Sequence, residues 1–251
     1  MQASTARNVA RNALRPHYLP VMGRKLVERI RPSHRAEALR WAETQAEPIG
    51  AFAEALDADL WAECGEWAAE FRESSRTKLD RLCVPLRGAG HFRLLHFLVR
   101  HLRPAVVLET GVGVGYTSQA ILLAFERNGA GTLYSSDFPY FRMDAPERYI
   151  GCLVDDGLRD RWHLGVSGDR VNLAQFLPEI DTVDLVHYDS DKSIGGRAFV
   201  MDAVAPKLAA DAVVVMDDID DNTYFRDWAA RSGDRGRVFR RGGKFVGLTG
   251  R

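Results

Sequence analysis

Short apolar runs alternate with helical patterns over residues 81–251, and this alternation constrains the fold most. Five of the runs read as strands: AVVLE (105–109), GTLYSSD (131–137), WHLGVSGD (162–169), VDLVHYD (183–189) and AVVVMDD (212–218). Continuous apolar strands separated by helices are typical of a parallel sheet covered on both faces. The last segment, RVFRRGGKFVGLTG (237–250), predicts a hairpin around two glycines. We therefore expect an α/β fold, a doubly wound, mostly parallel seven-stranded sheet with an antiparallel C-terminal hairpin.

The first 80 residues have a different pattern. Apolar and aromatic side chains recur at roughly helical spacing among charges, with little glycine and no strand alternation. We predict that residues 1–80 form a helical extension, which covers the substrate site or mediates a homodimer. Residues 81–251 then form the main domain.

Composition narrows the class of protein. A hydrophobic content of 46% and a charged content of 27% fit an ordinary globular chain. There is no apolar run of about 18 residues and no signal-peptide core at the start, which predicts a cytoplasmic protein without a membrane partner. Three scattered cysteines fit reduced thiols. The net charge of zero gives no indication of a nucleic-acid partner, although a basic segment, residues 1–40, leaves an RNA-binding arm as an alternative.

Acidic side chains end almost every predicted strand. In such sheets ligands bind beyond the carboxyl ends of the strands, near the point where the strand order reverses. Solvation alone does not explain why six acids crowd one rim, although each one alone could cap a helix. These acids are Glu109, Asp137, Asp169, Asp189, Asp217 and Asp218.

A glycine loop, ETGVGVGY (109–116), joins the first apolar run to a helix. It lacks the G-x-G-x-x-G dinucleotide fingerprint and the G-K-[ST] of a P-loop. Glu109 would repel a pyrophosphate but not a cationic ligand. Asp137, at the end of the next strand, is suited to bind both hydroxyls of a ribose. The two features together indicate a positively charged nucleoside, and S-adenosylmethionine fits. The alternative is a tight turn capped by Glu109.

The segment VVLETGVGVGYTSQAI resembles motif I of class I S-adenosylmethionine-dependent methyltransferases. From about residue 85 onward the chain resembles the catechol and caffeoyl-CoA O-methyltransferase group. The resemblance implies that the loop binds the methionine part, that Asp137 holds the ribose, and that Asp169 lies near the adenine. The implied cofactor residues are Glu109, Gly111, Gly113, Gly115, Tyr116, Thr117, Asp137 and Asp169.

The same group has a metal site at two strand ends, and HYDSDK (187–192) and Asp217-Asp218 are similar to its motifs. The resemblance implies Mg²⁺ or Mn²⁺ held by Asp189, Asp217 and Asp218. Lys192 is then the base, acting beside Asp189, and Asp191 supports them. The Asp-Asp pair departs from the Asp-Asn of the plant and animal enzymes. The alternative for HYDSDK is a charged turn with an ion pair from Lys192 and no metal.

These observations predict a metal-assisted O-methyltransferase that acts on a small-molecule hydroxyl in secondary metabolism. A metal-independent N- or carboxyl-methyltransferase is the first alternative. A protein or RNA methyltransferase, docked through residues 1–40, and a non-catalytic binding module are the others. Residue types do not name the acceptor.

Overall fold

Eight strands form one sheet in this computed structural model, which describes residues 2–15, 18–28, 34–84, 86 and 88–250. The strand order is β1-β7-β8-β6-β5-β2-β3-β4. Strands β2 to β6 are parallel, and β8 runs antiparallel to β6 and β7. The bounds are β1 (Ala46–Glu47), β2 (Val106–Thr110), β3 (Thr132–Ser136), β4 (Trp162–Gly165), β5 (Val183–Tyr188), β6 (Leu208–Met216), β7 (Arg237–Arg241) and β8 (Lys244–Thr249).

The predicted α/β fold is confirmed. The five apolar runs form β2 to β6, and the predicted hairpin forms β7 and β8. The strand order reverses at β2, which lies between β3 and β5. A crevice therefore forms above the carboxyl ends of β2 and β5, where ligands of such sheets bind.

The helices of the described residues cover both faces of the sheet. Alternation along β5 sends Leu185 into a core with Leu95 and Ile121, and sends Val186 into a second core with Leu173 and Val200. The bounds are α1 (Gln2–Ala13), α2 (Leu19–Glu28), α3 (Arg35–Gln45), α4 (Ile49–Arg81), α5 (Phe92–Leu102), α6 (Tyr116–Asn128), α7 (Asp169–Phe176), α8 (Ile194–Val204) and α9 (Tyr224–Arg231). Among the described residues, no helix is both long and apolar enough to cross a membrane.

The N-terminal segment is packed on the sheet. Its aromatic residues Phe52 and Trp61 join the same core as Phe97 and Phe239. It also contains β1, which extends the sheet beyond β7 and makes eight strands where the sequence predicts seven. Two residues are too few to show a period of two, so the pattern could not reveal this strand. The division at residue 80 stays a prediction.

Candidate active site

A cavity of about 880 Å³ lies at the carboxyl ends of β2, β3 and β5. Its walls are the glycine loop after β2, the loop of residues 138–150 after β3, the start of α7 and the turn after β5. Pro20 and Val21 of α2 also line it. The N-terminal segment therefore contributes to the cavity wall, and the cover function of residues 1–80 stays a prediction.

The glycine loop packs directly against the end of β5. Gly111 and Gly113 have φ of +86° and +54°, where side chains are disfavoured. A Cβ at Gly111 would lie only 2.5 Å from the carbonyl of Asp189. Glycine at position 111 therefore lets the cofactor loop and the predicted metal strand touch.

Asp137 faces the cavity and also holds the glycine loop. Its Oδ2 accepts hydrogen bonds from the amides of Val112 (3.1 Å) and Gly113 (2.8 Å). Its Oδ1 accepts from the Phe138 amide at 2.6 Å. These bonds fix the Asp137 carboxylate at the cavity wall, beside the glycine loop.

Most of the predicted cofactor residues line this cavity. Asp169 does so while it accepts hydrogen bonds from Ser136 Oγ (2.6 Å) and Ser190 Oγ (2.7 Å). Six of the eight predicted residues lie on the wall, namely Gly111, Gly113, Tyr116, Thr117, Asp137 and Asp169. Gly115 is not among the wall residues, and a Cβ at this position would lie only 3.0 Å from the Cα of Gly151.

Glu109 is fully buried beneath the loop and does not belong to the cavity wall. Its carboxylate accepts hydrogen bonds from Thr117 Oγ1 (2.6 Å), Ser118 Oγ (2.5 Å) and Ser135 Oγ (2.8 Å). The Nδ1 atom of His187 lies 3.3 Å from Glu109 Oε1. The side chain thus has partners inside the protein, and its predicted contact with methionine stays a prediction.

Glu109 and His187 each shift the pKa of the other. Burial alone would favour the neutral acid, but hydrogen bonds from His187 and the two hydroxyls of α6 outweigh it and lower the pKa of Glu109. Burial likewise disfavours the imidazolium, yet Glu109 and the nearby Asp217 raise the pKa of His187. The pair is therefore a charged or strongly polarised unit under the sheet's carboxyl edge.

Three side chains offer ligand atoms to one point: His187, Asp189 and Asp217. These atoms all lie within 4.8 Å of one another, in the only such group of three found among the described residues. His187 Nε2 and Asp217 Oδ1 are buried and have no hydrogen-bond partner. Unpaired buried polar atoms are costly, so their convergence fits a bound cation. The residues present therefore fit a divalent metal.

Asp218 is separate from this group, which differs from the predicted ligand set. Its backbone has φ of +53°, and its carboxylate lies 3.5 Å from Lys192 Nζ and 3.2 Å from Lys244 Nζ. Burial alone would raise its pKa, but the two lysines outweigh burial and lower the pKa of Asp218. The structure thus brings together two of the three predicted aspartates.

Asp217 is in an unusual electrostatic position. Burial and the neighbouring Asp189 raise the pKa of Asp217 to about 7. His91 Nε2 lies 3.4 Å from Asp217 Oδ1, but burial lowers the pKa of His91 to about 3, so this histidine is neutral and supplies no charge. Positive charge on His187 and Lys192 opposes this rise and favours the ionised carboxylate.

The predicted base, Lys192, is half-buried and ion-paired with Asp189 as well as Asp218. Its backbone carbonyl accepts a hydrogen bond from Asn222 Nδ2 at 2.6 Å. Asp191 accepts from the Ser193 amide at 3.0 Å and so braces the turn before α8. The ion pair of the alternative hypothesis is therefore present.

Sequence reasoning missed Arg197, which is fully buried in α8. Its Nη2 donates to the carbonyls of Asp217 (3.0 Å) and Asp218 (2.8 Å). A buried arginine is rare unless it has partners, and its burial is visible only in the structure, so the sequence carried no signal for it. Arg197 ties α8 to the turn that carries both aspartates.

Comparisons with known proteins agree with this geometry. Residues 108–219 match the family model described as "Methyltransferase domain". The fold is similar to a methyltransferase from Geobacter sulfurreducens (21% identity, TM-score 0.51, covering 72% of this chain and 89% of that chain). It is also similar to a candidate caffeoyl-CoA O-methyltransferase from Staphylococcus aureus (13% identity, TM-score 0.53, 72% and 92% covered) and to an SAH-bound methyltransferase from Podospora anserina (15% identity, TM-score 0.50, 88% and 98% covered).

No curated protein sequence matches the chain. At such low identities the solved structures are evidence for the fold alone. The family model covers the glycine loop and the two strand ends that carry Asp189 and Asp217. Together they bear out the resemblance to class I S-adenosylmethionine-dependent methyltransferases: residues 108–219 match a methyltransferase domain, and solved methyltransferase structures share the fold.

Proposed function

We propose that the protein transfers a methyl group from S-adenosylmethionine to a hydroxyl of a small molecule, with help from a divalent cation. One observation carries the proposal: a single cavity runs past the glycine loop and Asp137 to Asp189. Donor and acceptor can therefore meet inside it. The similar Staphylococcus aureus structure, a candidate caffeoyl-CoA O-methyltransferase, supports a hydroxyl as the acceptor.

The cofactor would occupy the part of the cavity bordered by the glycine loop. Gly111 and Gly113 leave the backbone open to close approach, and Asp137 would accept hydrogen bonds from the ribose. Asp169 would face the adenine side. Tyr116 and Thr117, at the start of α6, would border the methionine part.

The reaction needs the acceptor to lose a proton. A bound Mg²⁺ or Mn²⁺ lowers the pKa of a coordinated hydroxyl. Asp189 and Asp217 would hold the ion, and Lys192, beside Asp189, would act as the base for the acceptor proton. The cavity walls then orient the two reactants and exclude water, which is the main contribution of such a site.

The rest of the cavity wall supports a small, apolar or aromatic acceptor. Tyr140, Met143, Pro20, Val21 and Phe199 line it. We infer a role in secondary metabolism, a cytoplasmic location, and no nucleic-acid or membrane partner. The N-terminal helices would serve as the cover over the acceptor or as a homodimer surface.

A metal-independent N- or carboxyl-methyltransferase is the second candidate. The observation that favours it is the contact between the Lys192 ammonium and Asp189, since a lysine there supplies the positive charge that a metal would. In this case the carboxylates would orient an amine instead of binding a cation.

Calorimetry and turnover test the proposal. We expect S-adenosylmethionine and S-adenosylhomocysteine to bind, and Asp137→Ala to weaken both, whereas Asp202→Ala, at an exposed position on α8, leaves both unchanged. Turnover on a panel of catechols should fall after chelation and return with Mg²⁺ or Mn²⁺. Activity that survives thorough chelation would favour the second candidate, and failure to bind either cofactor form would reject both.

A further inference from the structure

The polar side chains under the carboxyl edge form one row across three strands. Strand register pairs Glu109 with Ser135 on β3 and with His187 on β5. Because side chains alternate along a strand, Asp189 lies on the same face as His187, two residues further on. Asp217 continues that face beyond β6, since Val215 is the partner of His187. The row ends at the cavity, where Asp189 lines the wall.

Glu109 determines which nitrogen of His187 is available. Glu109 already accepts from three hydroxyls, and Nδ1 of His187 faces its Oε1 at 3.3 Å, so Nδ1 is assigned as the donor nitrogen of the ring. Nε2 then points away from Glu109, is fully buried, and has no hydrogen-bond partner. A carboxylate behind one ring nitrogen, with the other nitrogen open, is the arrangement that orients metal-binding histidines.

We propose that His187 Nε2 is a metal ligand and that, with Asp189 and Asp217, it forms a one-nitrogen, two-carboxylate site for a transition-series dication. Glu109 is the positioning residue that orients the imidazole. The three ligand atoms lie within 4.8 Å of one another. Two ligands of one such ion can be at most about 4.3 Å apart, so small side-chain rotations bring all three to one ion.

This site differs from an all-oxygen one in the metal that it selects. Imidazole nitrogen favours ions such as Co²⁺, Zn²⁺ and Fe²⁺, whereas oxygen-only sites suit Mg²⁺. Asp218 is not in the set because it does not belong to the group whose ligand atoms lie within 4.8 Å of one another; its carboxylate faces Lys192 and Lys244. The inference deepens the proposed function, on whose metal-assisted form it rests, and it names the ion class that the enzyme would use.

Metal binding to the full chain tests the inference. After chelation and dialysis, Co²⁺ and Mg²⁺ are titrated by calorimetry, with Co²⁺ also followed by its visible absorption. We expect one Co²⁺ per chain, bound at least about 100-fold more tightly than Mg²⁺ because of the nitrogen ligand. His187→Gln should lower Co²⁺ affinity by roughly 100-fold, since the nitrogen ligand is lost.

Two matched variants sharpen the test. Asp218→Asn should leave Co²⁺ affinity within a few-fold of the original, whereas an all-oxygen site made of Asp189, Asp217 and Asp218 predicts a large loss. His96→Asn replaces another fully buried histidine, remote from the row, and should leave the affinity unchanged. Circular dichroism checks that each variant is folded.

A measurement on the unchanged chain covers the case in which His187→Gln does not fold. Pulsed electron paramagnetic resonance with Cu²⁺ in the site should detect coupling to an imidazole ¹⁴N. Absence of that coupling, equal binding of Mg²⁺ and Co²⁺, or no dication binding at all would overturn the inference. If the chain then still binds S-adenosylmethionine and turns over, only the metal assignment is wrong; if it binds no cofactor, the proposed function itself fails.

Discussion

Arg197 illustrates how a single residue shapes the site from outside the cavity. Its guanidinium is fully buried and donates to the carbonyls of Asp217 and Asp218. The backbone of Asp218 is left-handed, with φ of +53°, which costs about 1–3 kcal/mol in a residue other than glycine. The two hydrogen bonds hold this turn in place and so direct the Asp217 side chain toward His187.

Replacement of Arg197 should therefore affect metal binding as well as stability. We expect Arg197→Met to lower Co²⁺ affinity about 10- to 100-fold, the range seen when a group that orients a metal ligand is removed. The two unpaired carbonyls should also lower the free energy of unfolding by about 1–3 kcal/mol. Calorimetry and urea unfolding measure the two effects, with Arg231→Met at an exposed position as the control. A folded variant with unchanged metal affinity would show that Arg197 has only a structural role.

At this scale the sequence predicted some site residues and missed others for a physical reason. Asp189 and Asp217 end apolar strands, so the rule for parallel sheets brings them together. His187 and Arg197 lie inside β5 and α8, and their roles depend on the register with Glu109 and on the left-handed turn at Asp218. Neither property leaves a local pattern, so the sequence did not indicate that His187 lies with Asp189 and Asp217 while the Asp218 carboxylate faces two lysines.

Among the elements, α1 is attached to a loop that lines the cavity. Asn12 is buried and donates from Nδ2 to the carbonyls of Phe141 (2.8 Å) and Met143 (3.1 Å). Tyr18, which precedes α2, donates to Glu147 at 2.5 Å. The loop of residues 138–150 has no long helix or strand of its own, so these contacts with the N-terminal segment support its shape.

Loss of the Asn12 contacts should loosen this loop. We expect Asn12→Ala to increase amide hydrogen exchange over residues 138–150 and to weaken acceptor binding several-fold, because two partly buried carbonyls lose a donor, at a cost of about 1 kcal/mol. Exchange measured by mass spectrometry, together with KM, tests this. Asn128→Ala is the matched control, since Asn128 makes the same kind of bond to Val99 (2.8 Å) far from the cavity. Equal exchange in the two variants would argue against a cover function for residues 1–80.

At the scale of the whole molecule, a buried neutral histidine couples stability to pH. His96 is 1% exposed, stacks on Trp67 with ring centroids 3.7 Å apart, and has Nδ1 2.8 Å from the Ala120 carbonyl. Burial lowers the pKa of His96 to about 4, against about 6.5 for the unfolded chain. The unfolded chain therefore binds more protons than the folded one between these values.

Stability should consequently fall as the pH falls from 6.5 to 4. Each unit of pKa difference corresponds to about 1.4 kcal/mol, so His96 accounts for a loss of roughly 3 kcal/mol over this window. Asparagine does not take up a proton, so the free energy of unfolding of His96→Asn should fall by roughly 3 kcal/mol less over this pH window. Urea unfolding at a series of pH values measures it, and His34→Asn, at an exposed position, should keep the original slope. The same slope in all three proteins would contradict the prediction.

The sequence by itself determined the order of strands and helices, the glycine loop and the acids at the strand ends. These features are local, because apolar periodicity and the freedom of glycine act within a few residues. Only the tertiary structure decided which of the acidic side chains lie close together. Strand register buries Glu109 behind His187, and a left-handed turn separates Asp218 from Asp217. Side-chain directions across distant segments depend on packing, and no short stretch of sequence contains that information.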